Sequence, residues 1–334
     1  MAVPPARRTV PAFMILGTAR SGTTLVQRLA SEVPGVVVPP ETQFFSMFLP
    51  GLLRRRRFPL DQAALREEVN LYASLPWAQG MDLDPIAVLS RLDGQCGDAV
   101  QLFAAILSVL AGEAPIVGEK SPQHLPWWRL LTNALPALKI IAVVRDPRAV
   151  VASSLRVPWA TSSHVVLAQR WCVDQRRLRR AHRSLQGWRF LLLRYEDVVL
   201  DAESSRKHIA ELLGSHEMLE SAVDTEVTKR IALPWEWWKE RVYGEITDER
   251  ISAWRGDLSD EQRRDVESIC GREMNRLGYG EPPTALSRGV YLAGPPLRVH
   301  LERAGVELAR LPRAYRRWRR ASQGGLRNRI GEVG

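Results

Sequence analysis

Cysteine is scarce in this sequence, and long apolar runs are missing. The three cysteines among 334 residues are widely spaced and form no CxxC pair; they are Cys96, Cys172 and Cys270. Neither a disulfide framework nor a zinc site is therefore indicated. The most apolar stretch, 99–111, is shorter than the roughly 18 residues that cross a membrane, and residues 1–9 lack the features of a secretory signal. We therefore expect a cytoplasmic protein.

Positive charge exceeds negative charge, and the excess is unevenly distributed. The net charge is +10, but residues 298–334 contain ten arginines and three glutamates. Apolar residues recur among these arginines over 297–320, which indicates an amphipathic helix at the periphery of an anionic membrane surface. A solvated, disordered tail is the alternative. We therefore divide the chain into a domain over 1–283 and a basic C-terminal tail over 284–334.

Strand and helix signals alternate along the domain. Short β-branched or apolar runs predict strands at 13–17, 116–118, 139–144 and 190–193. Apolar residues at helical spacing predict helices after Gly22 and at 60–73, 85–92, 99–110, 125–135, 147–155, 165–185 and 201–213. Ser259 and Gln262 form a capping-box pattern for a last helix that ends near Leu277. This order predicts an α/β protein of three layers, a central parallel sheet flanked by helices, with ligands at the carboxyl ends of the strands.

A glycine loop follows the first predicted strand. Residues 17–24, Gly-Thr-Ala-Arg-Ser-Gly-Thr-Thr, nearly match the triphosphate loop GxxxxGK[ST], whose backbone N–H groups surround phosphate oxygens. Thr23 stands where that motif has the lysine that reaches the β and γ phosphates, and a cation, Arg20, lies inside the loop. The loop suits a single 5′ phosphate that bears a leaving group better than a magnesium-bound triphosphate. A plain glycine turn with Arg20 in solvent is the alternative.

The segment Arg-Ser-Gly-Thr-Thr-Leu, 20–25, resembles the 5′-phosphosulfate loop of the sulfotransferase superfamily, whose donor is 3′-phosphoadenosine-5′-phosphosulfate (PAPS). The resemblance implies a P-loop-like fold, an enzyme of EC 2.8.2 type and no metal. It also implies a donor site built from five loop residues: Arg20, Ser21, Gly22, Thr23 and Thr24.

Further segments are similar to other parts of the donor site in that superfamily. Arg145, at the end of a predicted strand, and Ser153, eight residues later, resemble the pair that grips the 3′ phosphate. A guanidinium suits this task because it forms bidentate, charge-assisted bonds to phosphate. Tyr195 resembles a tyrosine on the adenine side of the donor, and Trp254 with Arg255 resembles the segment that closes over it.

The catalytic motifs resemble those of the protein-tyrosine sulfotransferases. The chain as a whole is similar to a soluble, bacterial-type member of the superfamily. Pro-Glu-Thr at 40–42 is similar to the segment that supplies their base, which implies Glu41 as general base. Lys120 and Ser252 resemble their groups at the leaving oxygen. The alternative base is His124, since the small-molecule enzymes use a histidine in a Lys-Thr-His-Leu-Pro motif; here two extra residues separate it from Lys120.

The acceptor is less defined than the donor. The aromatic patch 234–238, with Trp77, Trp127, Trp128 and Trp159, lines an apolar acceptor pocket or packs in the core. A hydroxyl of a small molecule, a glycan or a lipid-linked molecule is compatible. A P-loop kinase-like phosphotransferase is the alternative function, although it needs the missing lysine. No nucleic acid is expected as a partner, because a nucleic-acid binder would not explain the paired phosphate motifs.

Overall fold

The computed structural model describes residues 10–185, 187–215, 231–233 and 236–280. The basic tail, its predicted helix and membrane contact, and residues 234 and 235 of the aromatic patch lie outside the described residues. Those expectations, and the domain boundary near 283, stay predictions. Among the described residues, no helix has the length and apolarity that a membrane span requires.

The core of the fold is a parallel sheet of five strands. They are β1 (Phe13–Gly17), β2 (Val36–Val37), β3 (Ile116–Lys120), β4 (Lys139–Val144) and β5 (Phe190–Arg194), in the order β2-β3-β1-β4-β5. In the centre, Met14 is in register with Ile140, and Leu16 with Ala142. The α/β class and the central parallel sheet are therefore confirmed. Strand β2 was not predicted, because two residues are too few to show an alternating pattern.

The α-helices include the predicted ones and several short additional turns. They are α1 (Thr23–Ser31), α2 (Leu49–Arg55), α3 (Gln62–Ala73), α4 (Pro76–Gln79), α5 (Pro85–Ser90), α6 (Ala99–Leu110), α7 (Trp128–Ala134), α8 (Pro147–Leu155), α9 (His164–Ser184), α10 (Tyr195–Leu200), α11 (Ala202–Leu213), α12 (Glu249–Ser252), α13 (Trp254–Asp257) and α14 (Asp260–Arg276). Helix α14 starts with the predicted capping box of Ser259 and Gln262. The helix predicted over 125–135 begins only at Trp128, because Pro126 has no N–H and the preceding turn, Pro122–Trp127, is a 3₁₀-helix.

Both faces of the sheet are covered, as three layers require. Phe13 and Ile15 of β1 point into a cluster with Val26 of α1 and Ile209 of α11. The alternate residues of β1 belong to the larger cluster on the other face, together with side chains of α3, α6, α9 and α14. Because side chains alternate along a strand, continuous burial of β1 means that helices pack on both sides. Only the carboxyl edge of the sheet remains for a ligand.

Candidate active site

The loop between β1 and α1 has the backbone shape that its glycine predicts. Gly22 precedes α1 with a φ of 92°, and Arg20 has a φ of 73°. A Cβ atom on Gly22 would lie 2.3 Å from the ring of Tyr195. Glycine is therefore required there both by the left-handed backbone and by the aromatic ring. No side chain caps α1, so its first N–H groups remain available for an anion.

The two arginines predicted to bind phosphates lie side by side. The Nε of Arg20 donates to the Oγ of Ser153 at 3.1 Å. The guanidinium of Arg145 donates to the Arg20 carbonyl at 3.2 Å and stacks 3.9 Å from the centre of the Tyr195 ring. The structure thus brings together Arg20, Arg145, Ser153 and Tyr195, of which the first and the last are 175 positions apart in the sequence. They form one basic pocket at the carboxyl edge of β1 and β4.

This pocket holds two positive charges, which Glu41, Glu196 and Asp146 offset only from beyond ion-pair distance. Burial lowers the pKa of both Arg20 and Arg145, and the two charges also repel each other at Arg20. Their hydrogen bonds go to neutral acceptors, and no carboxylate of the described residues forms an ion pair with either. The Oγ of Ser21 and the Nε of Arg145 are buried without a partner. Because buried polar groups are normally paired, this arrangement fits an anionic ligand.

A second cluster of charges lies beside the loop. Glu41 follows β2 and is 8% exposed, and Lys120 is the fully buried last residue of β3. The Nζ of Lys120 donates to the Oε1 of Glu41 at 2.5 Å, and the Nε2 of Gln43 donates to its Oε2 at 2.8 Å. The Nζ of Lys239 lies 2.9 Å from the same Oε1 and 2.5 Å from a carboxylate oxygen of Glu236. Four neighbouring charges therefore alternate in sign, three of them buried and the fourth, Glu236, half-buried.

The charged groups in this cluster change one another's pKa values. Burial alone would raise the pKa of Glu41, but the ammonium groups of Lys120 and Lys239 outweigh it and lower that pKa to about 2. Burial lowers the pKa of Lys120 to about 8, against the opposing effect of Glu41. Burial also opposes the charge of Lys239, but its two carboxylate partners raise its pKa above the ordinary value. At neutral pH Glu41 is therefore ionised and Lys239 is positively charged.

His124, the alternative base, lies in a separate buried network. Its Nε2 accepts from the N–H of Phe45 at 3.1 Å, and its Nδ1 lies 3.2 Å from an oxygen of Glu119. Since Nε2 accepts, Nδ1 carries the proton and donates to Glu119. Glu119 also accepts from the hydroxyls of Thr42 and Ser121. His124 is fully buried and, like Lys120, lies outside the described lining of the cleft. It differs from Lys120 in that both its ring nitrogens bond to Phe45 and Glu119 and neither contacts Glu41.

The three residues predicted near the C-terminal end of the site have different positions. Trp254 is buried, stacks between Arg148 at 4.0 Å and Arg255 at 4.6 Å, and lines the cleft. Ser252 and Arg255 are exposed and lie outside the described lining. Their predicted contacts with the donor and the leaving oxygen therefore stay predictions.

A cavity of about 880 Å³ joins the loop, the basic pocket and the Glu41 cluster. Apolar side chains also line it, namely Leu25, Met47, Trp77, Val157, Trp159, Leu233, Trp238 and Ile246. Trp127, which the sequence analysis grouped with these tryptophans, instead packs against Phe45 with ring centres 5.8 Å apart. Trp128 is buried and is also outside the described lining. The cavity therefore combines cationic and apolar side chains in its lining.

One wall of the cavity is a segment of which the sequence analysis identified only the first residues, 236–238, as part of the aromatic patch. Residues 236–250, the tethered segment, are held by arginines through their main-chain carbonyls. Arg20 donates to the carbonyl of Trp238, and Arg145 donates to that of Arg250. Arg28 of α1 donates to the carbonyls of residues 242 and 244. Main-chain acceptors leave no signature in a sequence, so neither residues 239–250 of this segment nor the role of Lys239 was predicted from motifs.

Comparisons with known proteins agree with this geometry. The sulfotransferase domain of the Synechococcus PCC 7002 olefin synthase superposes with a TM-score of 0.59 at 20% identity, over 84% of this chain and 98% of that domain. The sulfotransferase domain from the curacin biosynthetic pathway gives 0.53 at 17% identity, over 81% of this chain and 98% of that domain. At these identities the likeness concerns the fold. No curated protein sequence matches the chain. A sequence model of the sulfotransferase family, however, matches residues 11–217, and the chain therefore belongs to the sulfotransferase family.

Proposed function

We propose that the protein transfers a sulfuryl group from PAPS to a hydroxyl group, with Glu41 as the general base. The observation that carries this proposal is the pair of guanidinium groups of Arg20, partly buried, and Arg145, buried, which form no ion pair with a carboxylate of the described residues and lie beside a buried Glu41–Lys120 pair. PAPS has phosphates at both the 5′ and 3′ positions. Two neighbouring cationic sites match such a ligand better than one loop alone.

The residues of the basic pocket divide naturally between the two phosphates. The loop N–H groups with Arg20, Thr23 and Thr24 would hold the 5′-phosphosulfate, because they lie at the start of α1. Arg145 and Ser153 would hold the 3′ phosphate. The unpartnered Ser21 hydroxyl and Arg145 Nε support this fit, since an anion would satisfy both. Tyr195, between Gly22 and Arg145, offers an aromatic face for the adenosine.

PAPS, when bound, supplies a sulfuryl group on a phosphate leaving group. Glu41 would take the proton of the acceptor hydroxyl as its oxygen forms the new bond to sulfur. Lys120 would donate to the oxygen that becomes the phosphate of the product. The 2.5 Å contact between Nζ of Lys120 and Oε1 of Glu41 supports these roles, because the two side chains are adjacent. The negative charge of bound PAPS would draw Lys120 away from Glu41.

The apolar side chains in the lining of the cavity support an acceptor with an apolar body. Trp159 and Trp238 pack edge to face, with ring centres 6.4 Å apart. Trp77 and Met47 also line the cavity. Such surfaces bury apolar ligands, so a lipid-linked or hydrophobic small-molecule alcohol fits better than a free sugar. No observation favours the kinase-like alternative, because Thr23 occupies the position of its phosphate-binding lysine.

The test is transfer of ³⁵S from labelled PAPS to a panel of long-chain alcohols, steroid alcohols, phenols and free sugars. We expect transfer to apolar alcohols or phenols, and a loss of about 10²-fold or more in Glu41→Gln and Lys120→Met. Lys207→Met is the matched control, because Lys207 is 59% exposed on α11. Full activity of Glu41→Gln would remove the base assignment. Transfer of phosphate from ATP, with none of sulfate from PAPS, would overturn the function.

A further inference from the structure

Lys239 contacts the proposed base from the side opposite to the sheet. Its Nζ lies 2.9 Å from the Oε1 of Glu41, the same oxygen that accepts from Lys120. The other oxygen accepts from Gln43. Glu41 thus has two contacts on Oε1 and one on Oε2, and a lone-pair site on Oε2 remains for the proton of a substrate.

The two lysines at Glu41 differ in how they are held. Lys120 ends a central strand, and Glu41 is the carboxylate with which it forms an ion pair among the described residues. Lys239 lies on the tethered segment and has a second carboxylate, Glu236, at 2.5 Å. Glu236 is itself fixed, because its other oxygen accepts from the N–H of Leu233 at 2.9 Å. Lys239 therefore has an anchor that does not depend on Glu41.

The anchor keeps Lys239 in place when the donor arrives. In the proposed mechanism Lys120 turns to the leaving oxygen, and Arg20 binds the 5′ phosphate. Lys239 then remains beside Glu41, with its side chain 5% exposed and its charge shared with Glu236. A cation within about 4–6 Å of a carboxylate orients it and lowers its proton affinity.

We propose that Lys239 is a positioning residue that orients the Glu41 carboxylate and limits its affinity for protons through the reaction. This inference rests on the proposed role of Glu41 as base, but its main consequence concerns the carboxyl group alone. The charged groups around Glu41 are Lys120 from β3, Lys239 and Glu236 from the opposite wall, and Arg20 from the loop. Of these, Lys239 and Lys120 have direct contacts with it.

The test follows the Glu41 carboxyl by ¹³C NMR in the full chain labelled with [5-¹³C]glutamate, with Glu41→Gln to assign the resonance. In Lys239→Met we expect Glu41 to titrate about one to three pH units higher than in the wild type. Lys239→Arg should restore the wild-type titration, because it keeps the charge. Lys207→Met, an exposed lysine, should leave it unchanged. An unchanged titration in Lys239→Met overturns the proposal.

A second variant at position 239 and a variant of Glu236 complete the test. If circular dichroism shows that Lys239→Met does not fold, Lys239→Gln retains a polar group and gives the same expected shift. Glu236→Gln removes a negative charge near Glu41, so it should not raise the pH at which Glu41 titrates. A rise as large as that in Lys239→Met also overturns the proposal. If the Glu41 titration shifts in Lys239→Met but the wild type transfers no sulfate, the proposed function is refuted and the role of Lys239 stands. Normal transfer with an unshifted titration refutes Lys239 alone.

Discussion

Replacement of Glu41 by glutamine leaves two buried lysines, Lys120 and Lys239, without the carboxylate that both contact. The ion pairs hold the pKa of Glu41 at about 2, against an ordinary value of 4.5. That difference corresponds to about 3 kcal/mol of folding free energy at neutral pH. Removal of one partner of a buried pair costs about 3–5 kcal/mol in comparable cases, which is the same range.

The sign of the pH dependence follows from both partners. The folded pKa of Glu41 is depressed, so its contribution is fully present above about pH 4.5 and is lost as the pH falls through about 2. The folded pKa of Lys120 is lowered from 10.5 to about 8, so this lysine loses its proton first in the folded state. Above about pH 8 the ion pair therefore weakens in the wild type. The stability deficit of Glu41→Gln should be largest between about pH 5 and 7.5 and smaller at pH 9.

The assay is urea unfolding followed by tryptophan fluorescence at pH 5.5, 7 and 9. We expect a loss of about 3 kcal/mol at pH 7 and a clearly smaller loss at pH 9. Glu203→Gln is the matched control, because Glu203 is an exposed carboxylate on α11 and its ion pairs lie in solvent; its effect should stay within about 1 kcal/mol. A loss below about 1 kcal/mol in Glu41→Gln, or a loss independent of pH, would refute this reasoning.

Two further substitutions probe the loop and the network beneath the site. Gly22→Ala should weaken binding of adenosine 3′,5′-bisphosphate in calorimetry, because its Cβ collides with the Tyr195 ring. The loss caused by Gly22→Ala should be smaller in a Tyr195→Ala background than in the wild type, and an equal loss in both backgrounds would exclude that collision as the cause. His124→Gln should lower the free energy of unfolding by about 1–3 kcal/mol, since it disturbs buried hydrogen bonds to Phe45 and Glu119. It should leave the pH profile of sulfuryl transfer unchanged, and loss of a limb near the pKa of a histidine would restore His124 as the base.

The sheet and the turn of the glycine loop were predictable because their signals are local. A buried strand such as β4 is a continuous apolar run, and the loop at 17–24 has its glycines at fixed spacing. The family resemblance paired Ser153 with Arg145, and the hydrogen bond of Ser153 to Arg20, 133 residues away, was not predicted. Pro126 altered the predicted start of α7 through its missing N–H.

The side chains around the base show where sequence reasoning stops. Glu41 and Lys120 lie in motifs, but Lys239 reaches them through a segment whose position depends on carbonyl acceptors. Histidine is a common general base, but His124 lies in the core, where its two ring nitrogens bond to Phe45 and Glu119. Burial and partners, rather than residue type, separate these roles, and both depend on the assembled fold.

The most direct test of the account is isothermal titration of the full chain with adenosine 3′,5′-bisphosphate and, separately, with ATP and magnesium. Arg145 donates to neutral acceptors and keeps a buried Nε without a partner, so we expect the bisphosphate to bind and ATP with magnesium to bind far more weakly. Arg145→Met should weaken the bisphosphate by about 10- to 100-fold. Tighter binding of ATP with magnesium, or equal affinity of Arg145→Met for the bisphosphate, would contradict a site built for a 3′-phosphorylated sulfate donor.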